Sequence, residues 1–182
     1  MIAQMNVEAQ VEADFDHAHR RAFIRRVIEA LHNHTTDLPA FEELRKSLGV
    51  SNRVALAGIK TVEVEKIVGS VGRYKDFDSC FLPARSNVSA RWERVDQAFL
   101  RGDELPPVSL YKVGNVYFVN DGNHRVSVAR YHGVEEIDAE VVEFGSSGSS
   151  TARLLNALPN CSGLLSRLSG KLRSALSLHG RE

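Results

Sequence analysis

The fold is decided by the stretch Val116-Tyr-Phe-Val-Asn-Asp-Gly-Asn-His-Arg-Val-Ser-Val-Ala-Arg130. It begins with an apolar run typical of a buried strand, passes through a glycine turn and continues directly into residues with helical character. The first N–H groups of a helix have no intrahelical acceptor, and the helix dipole leaves partial positive charge beside them. The turn at Gly122 therefore predicts an anion site, in which a phosphate lies against the backbone.

The side chains around this glycine predict the same chemistry. Gly122 lets a ligand approach the backbone, Asn123 and His124 add polar groups, and Arg125 is always charged and matches phosphate oxygens in a two-pronged geometry. In the alternative interpretation, Asp121 or Asn123 only caps the helix, while His124 and Arg125 point into water. The local pattern leaves both interpretations open.

Further strands and helices are predicted on both sides of the turn. Residues 108–113 and 116–120 form a hairpin around Gly114 and Asn115, with glycine first as a type II′ turn requires. The helix at 123–132 ends at Gly133, and a strand follows at 134–143. Upstream, the apolar periodicity predicts a strand at 59–67 and a helix at 90–100. This order predicts an α/β (α+β) fold, a small mixed sheet with flanking helices.

Four regions follow along the chain. We predict an N-terminal helical extension at 1–50, with helices at 14–31 and 38–49, then the main domain at 59–144, a Gly/Ser linker at 145–150 and a tail at 151–182. The tail is basic and its leucines recur near helical spacing, so we expect it to dock on its own domain or to pair subunits in a homo-oligomer.

The two N-terminal helices also allow a DNA-binding helix-turn-helix, which is possible but not favoured. In that case the phosphate contacts would come from Arg20, Arg21, Arg25 and Arg26. We favour a docking pair of helices with a solvated arginine face, because the second helix offers few groups to base edges.

Composition narrows the function classes. The chain has 182 residues, of which 43% are hydrophobic and 25% charged, and its net charge is zero. Such a chain has enough residues for one sizeable core and carries no basic excess for nucleic acid. No apolar run predicts a membrane span, and the polar N-terminus predicts no secretory signal, so we expect a cytoplasmic protein. Cys80 and Cys161 are expected to be reduced.

The predicted order of elements and the turn Asp121-Gly-Asn-His-Arg125 resemble the ParB/sulfiredoxin superfamily over residues 61–143. In sulfiredoxins the matching turn is Gly-Cys-His-Arg, which holds the phosphates of ATP, and the cysteine carries the redox chemistry. Asn123 stands at the cysteine position here, so sulfiredoxin activity is not expected. In ParB proteins the turn is Gly-Glu-Arg-Arg and implies a CTP-dependent switch on DNA.

Free-serine kinases, a third branch, have a turn similar to Asp-Gly-His-His-Arg, from which only Asn123 departs. This resemblance implies a nucleotide (ATP, ADP or CTP) with Mg²⁺, held by Gly122, Asn123, His124 and Arg125, with Asp121 as general base or metal ligand.

Three further residues are candidates from the glycine-rich segment at 68–78, which is predicted to be a loop. Arg73 is predicted to bind a second phosphate, and Asp76 or Asp78 to supply a second acid. Three functions stay open: a phosphotransferase or nucleotide hydrolase acting on a small substrate, a nucleotide-gated interaction module without catalysis, and a ParB-like DNA-associated regulator.

Overall fold

The computed structural model describes residues 2–32, 35–48 and 54–145. The predicted tail, and the linker beyond its first residue, lie outside these ranges. The described residues form four α-helices and five β-strands. In chain order they are α1 (Ile2–Leu31), α2 (Phe41–Leu48), β1 (Val54–Glu63), β2 (Ile67–Ser70), α3 (Ser89–Arg101), β3 (Val108–Val113), β4 (Val116–Asp121), α4 (Asn123–His132) and β5 (Glu136–Phe144).

The five strands form one mixed sheet in the order β1-β5-β3-β4-β2. β1 is antiparallel to β5 and β3 is antiparallel to β4, whereas β5 runs parallel to β3 and β2 runs parallel to β4. The predicted α/β class, with helices against a small mixed sheet, is therefore confirmed. The hairpin turn also has its predicted geometry, because Gly114 has φ +60° while Asn115 is not among the residues with positive φ.

Both faces of the sheet are covered. Phe118 and Val119 lie in different apolar clusters, because successive side chains of a strand point to opposite faces. On one face, α1, α3 and α4 pack around the fully buried Trp92. On the other face, Phe41 of α2 packs edge-on against the Phe118 ring, with 5.3 Å between ring centroids. α4 contributes Val126 and Val128 to the larger of the two clusters.

Two predicted elements were wrong in extent. α1 begins at Ile2 rather than at residue 14, because its first turns are built from good helix formers and need no apolar stripe. The strand predicted at 59–67 is two strands, β1 and β2, separated by a 3-10 turn at Val64–Lys66. Gly69, interpreted as part of a loop, lies within β2, where an added Cβ would be 2.5 Å from the Pro39 carbonyl oxygen. Glycine at this position lets the backbone at Pro39 lie close to β2.

The N-terminal helices dock on the domain. Arg25 is buried and pairs with Asp78 at 3.1 Å, and its other amino group donates to Ser79 Oγ at 2.5 Å. Such a guanidinium is not available to DNA phosphates, in keeping with the docking interpretation of α1.

Cys80 is disulfide-bonded in the structure, so the prediction of a reduced thiol is wrong at this position. Cys161 lies outside the described residues. No helix within the described ranges is long and apolar enough to cross a membrane.

Candidate functional site

The turn between β4 and α4 is built on a glycine with positive φ. Gly122 has φ +104°, a conformation that residues with a Cβ rarely adopt. A Cβ at this position would be 2.7 Å from Val108 Cγ1 and 3.0 Å from an Arg125 guanidinium nitrogen. Glycine is therefore required both for the turn and for its close packing.

The first amides of α4 are free of intrahelical bonds. The first bond of the helix runs from Val126 N–H to the Gly122 carbonyl at 3.0 Å, which leaves the N–H groups of Asn123, His124 and Arg125 without helical acceptors. Gly122 has no side chain to cap them. Within the described part of the chain, the N-terminus of α4 is thus an uncapped positive end of a dipole.

Two buried side chains at this end lack partners. Asn123 is 6% exposed and His124 is 5% exposed, yet Asn123 Oδ1 and His124 Nε2 have no hydrogen bond among the described residues. Native proteins pair nearly all buried polar atoms, since an unpaired one costs about 1–3 kcal/mol. Two such atoms on consecutive residues, beside free amides, leave hydrogen-bonding groups at this helix end that the described residues do not satisfy.

His124 is a neutral group in this site. Burial and the positive charges of Arg91 and Arg73 together lower its pKa to about 4, against the smaller effects of Asp76 and Asp121, which raise it. The edge-on contact with Phe77, 5.2 Å between ring centroids, holds the imidazole in place. At neutral pH it offers one donor and one acceptor nitrogen and no charge.

The structure brings Arg73 to this site and adds Arg91. Arg73 is exposed and bonds Asp76 at 3.1 Å. Arg91 is an exposed residue of the first turn of α3. The next residue, Trp92, fixes this turn against α4, because its Nε1 donates to Ser127 Oγ at 2.8 Å. Arg91 and Arg73 both lie near enough to His124 to lower its pKa.

Sequence reasoning missed Arg91, although a signal was present. Acidic side chains are favoured in the first turn of a helix because they face the positive end of its dipole. The first turn of α3 has no acidic residue and carries an arginine instead. A cation at that position is unfavourable beside the dipole, and this is the signal that the sequence carried.

Arg125 and Asp121 are bound to each other. The Arg125 guanidinium contacts Asp121 Oδ2 at 2.7 Å and the Pro107 carbonyl oxygen at 2.8 Å, and it also bonds the Pro106 carbonyl. These contacts fix the turn to the segment that leads into β3. The structure thus shows Arg125 fixing the turn, while Asp121 remains 66% exposed at the rim, and the predicted contact of Arg125 with phosphate stays a prediction.

The two candidate second acids are placed differently. Asp76 lies near enough to raise the pKa of His124. Asp78 is buried against Arg25, and its Oδ1 accepts the N–H groups of Cys80 and Leu82, each at 2.9 Å. Asp78 therefore fastens its loop to α1 and does not serve the turn.

A second basic surface lies between α1 and the segment before α3. This depression of about 390 Å³ is lined by His19, Arg26, Ala84, Arg85, Ser86 and Asn87. His19 is already bonded to the Pro83 carbonyl, 2.8 Å from Nδ1. None of the lining residues has a buried polar atom without a partner, so this surface lacks the feature that marks the α4 turn.

Comparison with known proteins adds one structural likeness. No protein-family model matches the sequence, and no curated protein does. The structure is similar to the crystal structure of sulfiredoxin from Arabidopsis thaliana, with 19% sequence identity, a TM-score of 0.35 and coverage of 52% of this chain and 92% of that chain. At this identity and TM-score the likeness shows nothing of the activity of this chain.

Proposed function

We propose that the protein binds a phosphate group, that of a nucleotide, at the N-terminus of α4. The observation that carries the proposal is the pair of buried, unpartnered atoms, Asn123 Oδ1 and His124 Nε2, next to the uncapped amides of the helix. A ligand with oxygen acceptors and hydroxyl donors would satisfy all of them at once.

The charges around the turn favour an anion. Arg73 and Arg91 both act on His124 strongly enough to lower its pKa, so their positive fields overlap at the helix end. Exposed guanidinium groups bind phosphate oxygens in a two-pronged geometry without a large desolvation cost. In this arrangement the two arginines contact the phosphate from outside, and the amides contact it from the turn.

His124 contributes a hydrogen bond rather than a charge. Because its pKa is about 4 in the free protein, it reaches the ligand as neutral imidazole at pH 7. A phosphate dianion beside it would favour the protonated form and raise that pKa. Binding is therefore expected to take up protons at mildly acidic pH.

The finer function that we propose is phosphoryl transfer or nucleotide hydrolysis on a small substrate. Asp121 is an exposed carboxylate directly before the turn, at a position to activate an acceptor or to hold Mg²⁺ beside the phosphates. Such reactions depend on positioning and charge neutralisation, which the amides and arginines would supply. A gated module without catalysis would use the same site but would not consume the nucleotide.

Thermal-shift measurements on the full chain test the binding. The ligands are ATP, ADP, CTP, GTP, pyrophosphate and inorganic phosphate, each with Mg²⁺. A ligand at one hundred times its Kd stabilises the native state by about 2.7 kcal/mol, which raises Tm by several degrees. We expect a shift with at least one nucleotide.

Variants locate the ligand. Arg91→Ala is expected to weaken the shift at least tenfold in apparent Kd, whereas Arg94→Ala, an exposed arginine one turn further along α3, serves as the matched control and leaves it unchanged. His124→Gln is expected to weaken it as well. A shift with no ligand, or equal shifts in Arg91→Ala and Arg94→Ala, would contradict the proposed site.

Turnover separates catalysis from binding. Release of phosphate or diphosphate from the nucleotide that binds is measured for the wild type and for Asp121→Asn. Loss of release with the thermal shift retained assigns the reaction to Asp121. A bound nucleotide that stays intact in the wild type rejects the enzymatic part of the proposal and leaves the binding part standing.

A further inference from the structure

A second polar cluster lies at the opposite end of α4. Asp14 of α1, Asp96 of α3 and His132 of α4 each offer one ligand atom, and these three atoms all lie within 4.8 Å of one another. Asp14 and Asp96 are buried, and His132 is half-buried. Three helices that are far apart in sequence thus place two carboxylates and an imidazole together.

Asp96 has an unsatisfied oxygen in this cluster. Its side chain is fully buried, and its Oδ1 lies 2.6 Å from His132 Nε2. Its Oδ2 has no hydrogen-bond partner among the described residues. A buried carboxylate oxygen without a donor is costly, because the charge is removed from water without compensation.

Asp14 brings a second negative charge close by. Its carboxylate accepts hydrogen bonds from Gln10 Nε2 at 3.1 Å and from the Tyr131 hydroxyl at 2.8 Å. No lysine or arginine within the described ranges is hydrogen-bonded to Asp14 or to Asp96. Arg21 is the nearby cation and acts on Tyr131. The cluster therefore has two buried carboxylates and a shortage of positive charge.

The direction of α4 favours a cation here. His132 is the last residue of the helix, where the dipole leaves partial negative charge. Its ring stacks on Phe99, with ring centroids 4.5 Å apart, so the orientation of the imidazole is fixed by packing. Both the local dipole and the two carboxylates attract positive charge to the same place.

We propose that Asp14, Asp96 and His132 bind a divalent transition-metal ion of the Zn²⁺ class. Two carboxylate oxygens and one imidazole nitrogen suit Zn²⁺, with bonds of about 2.0–2.2 Å, and water or the free Asp96 oxygen can fill a fourth position. The ion takes the place of the proton between His132 Nε2 and Asp96 Oδ1. If His132 starts as the neutral ring, its proton moves from Nε2 to Nδ1. If it starts as imidazolium, the Nε2 proton is released to water and Nδ1 keeps its own.

The site would tie α1 to the main domain. Its ligands come from α1, α3 and α4, and metal binding to the native state adds its binding free energy to that of folding. The expected effect of the ion is therefore a rise in Tm rather than a change in chemistry at the α4 turn, and the test does not depend on nucleotide binding.

Metal titration of the full chain tests this site directly. The protein is stripped with EDTA, exchanged into chelator-free buffer and titrated with ZnCl₂ by calorimetry, with Tm as a second readout. CoCl₂ gives a third readout, because the single tryptophan of the chain, Trp92, packs against Tyr131 with 5.5 Å between ring centroids. Cobalt bound at the neighbouring residues is expected to quench its fluorescence.

We expect one saturable ion per chain, a higher Tm and quenched Trp92 emission. Asp14→Asn keeps an acceptor oxygen for Tyr131 and is expected to weaken Zn²⁺ binding at least tenfold, as are Asp96→Asn and His132→Gln. The matched controls are Asp16→Asn, an exposed acid on the same helix, and His32→Gln, an exposed histidine, and both should bind as the wild type does.

The wild-type titration decides the question even if Asp96→Asn does not fold. Absence of saturable Zn²⁺ binding to the wild type would overturn the proposal. So would binding that survives in Asp14→Asn but is lost in His32→Gln, because that pattern would place the ion on surface histidines.

Discussion

The two ends of α4 are surrounded by side chains of opposite charge, although the backbone has the same feature at both. Both are flanked by a glycine with positive φ, Gly122 at the start and Gly133 at the end. The N-terminal end has two arginines around it and neutral buried groups beside it. The C-terminal end has Asp14 and Asp96 around His132. The dipole favours an anion at the N-terminal end, where the nearby side chains are arginines. It favours a cation at the C-terminal end, where the nearby side chains are aspartates.

The ends differ in how far the protein satisfies its own polar groups. At the C-terminal end, most hydrogen-bonding atoms have partners within the cluster, and Asp96 Oδ2 is the exception. At the N-terminal end, consecutive residues leave Asn123 Oδ1 and His124 Nε2 unpaired, and the helix amides are uncapped. The N-terminal end therefore leaves more of its own polar groups unpaired, and the following changes test this contrast.

The largest effect is expected from the two glycines. Gly122→Ala combines strain at φ +104° with a Cβ placed 2.7 Å from Val108, and should lower the free energy of unfolding by about 2–4 kcal/mol. Gly133→Ala is the matched control at the other end, where a Cβ meets no atom within 4 Å. It should cost about 1 kcal/mol from the left-handed backbone alone. Urea unfolding of both variants measures the difference, and equal losses would show that Gly122 is not tightly packed.

The next effect is an acid-sensitive loss of stability from the N-terminal end. The pKa of His124 is about 4 in the folded protein and 6.5 ordinarily. Between these values the unfolded chain binds a proton that the folded chain does not, so the free energy of unfolding falls as pH drops from 6.5 to 4. The contribution is on the order of 2 kcal/mol, and it is fully present above pH 6.5.

His124→Gln checks this pH dependence. Its stability should change less than that of the wild type between pH 6.5 and 4, because the titrating group is gone while other titrating groups remain. Parallel curves for the two proteins would show that His124 titrates normally. Phosphate added to the wild type should make this loss of stability smaller. A bound anion favours the protonated ring and therefore raises the pKa of His124 in the folded protein.

A smaller effect is expected from the residue that fixes the turn. Arg125→Lys keeps the charge but cannot reach Asp121 and the two proline carbonyls together, so it should cost about 1–2 kcal/mol. Arg45→Lys, in an exposed i,i+3 pair with Glu42, is the control and should cost under about 0.5 kcal/mol. Thermal unfolding compares the two. A cost for Arg125→Lys no larger than the control would mean that the turn is held by the glycine and sheet packing alone.

The smallest effect has the opposite sign. Arg91 faces the positive end of the α3 dipole, so Arg91→Glu should stabilise the free protein by about 0.3–1 kcal/mol while it removes phosphate binding. Arg101→Glu, in the last turn of the same helix, should destabilise by a similar amount and leave binding unchanged. Unfolding and thermal-shift measurements on both variants check the pair. A loss of stability in Arg91→Glu would indicate that Arg91 has a structural role.

Local features of the fold were predictable and distant ones were not. The hairpin at 108–120, the turn at Gly122 and the bounds of α4 follow from interactions between residues close in sequence, and the structure has them where they were predicted. The division of residues 59–70 into two strands depends on pairing with β4 and β5. Gly69 therefore gave a misleading loop signal, because its role is to let Pro39 and Phe118 approach.

The candidate site divides in the same way. Its backbone part could be predicted, because a glycine turn and a helix start are local. The partners of Arg125 could not, since the Pro106 and Pro107 carbonyls and the Asp121 carboxylate compete for the same guanidinium only after β3 and β4 pair. The role of Asp78 could not be predicted either, because its partner Arg25 lies 53 residues earlier in the chain.

The sequence by itself determined the α/β class, the hairpin, the helix that follows it and the amides that its first turn leaves free, since each depends on neighbouring residues. Only the tertiary structure decided which charges surround the two ends of that helix. Arg91 and Arg73 lie near enough to His124 to lower its pKa. Asp14 and Asp96 lie close to His132. Both arrangements arise because α1, α3 and the loop after β2 pack around one core. The physical reason is that electrostatic interactions depend on distance in space, which packing fixes and sequence separation does not.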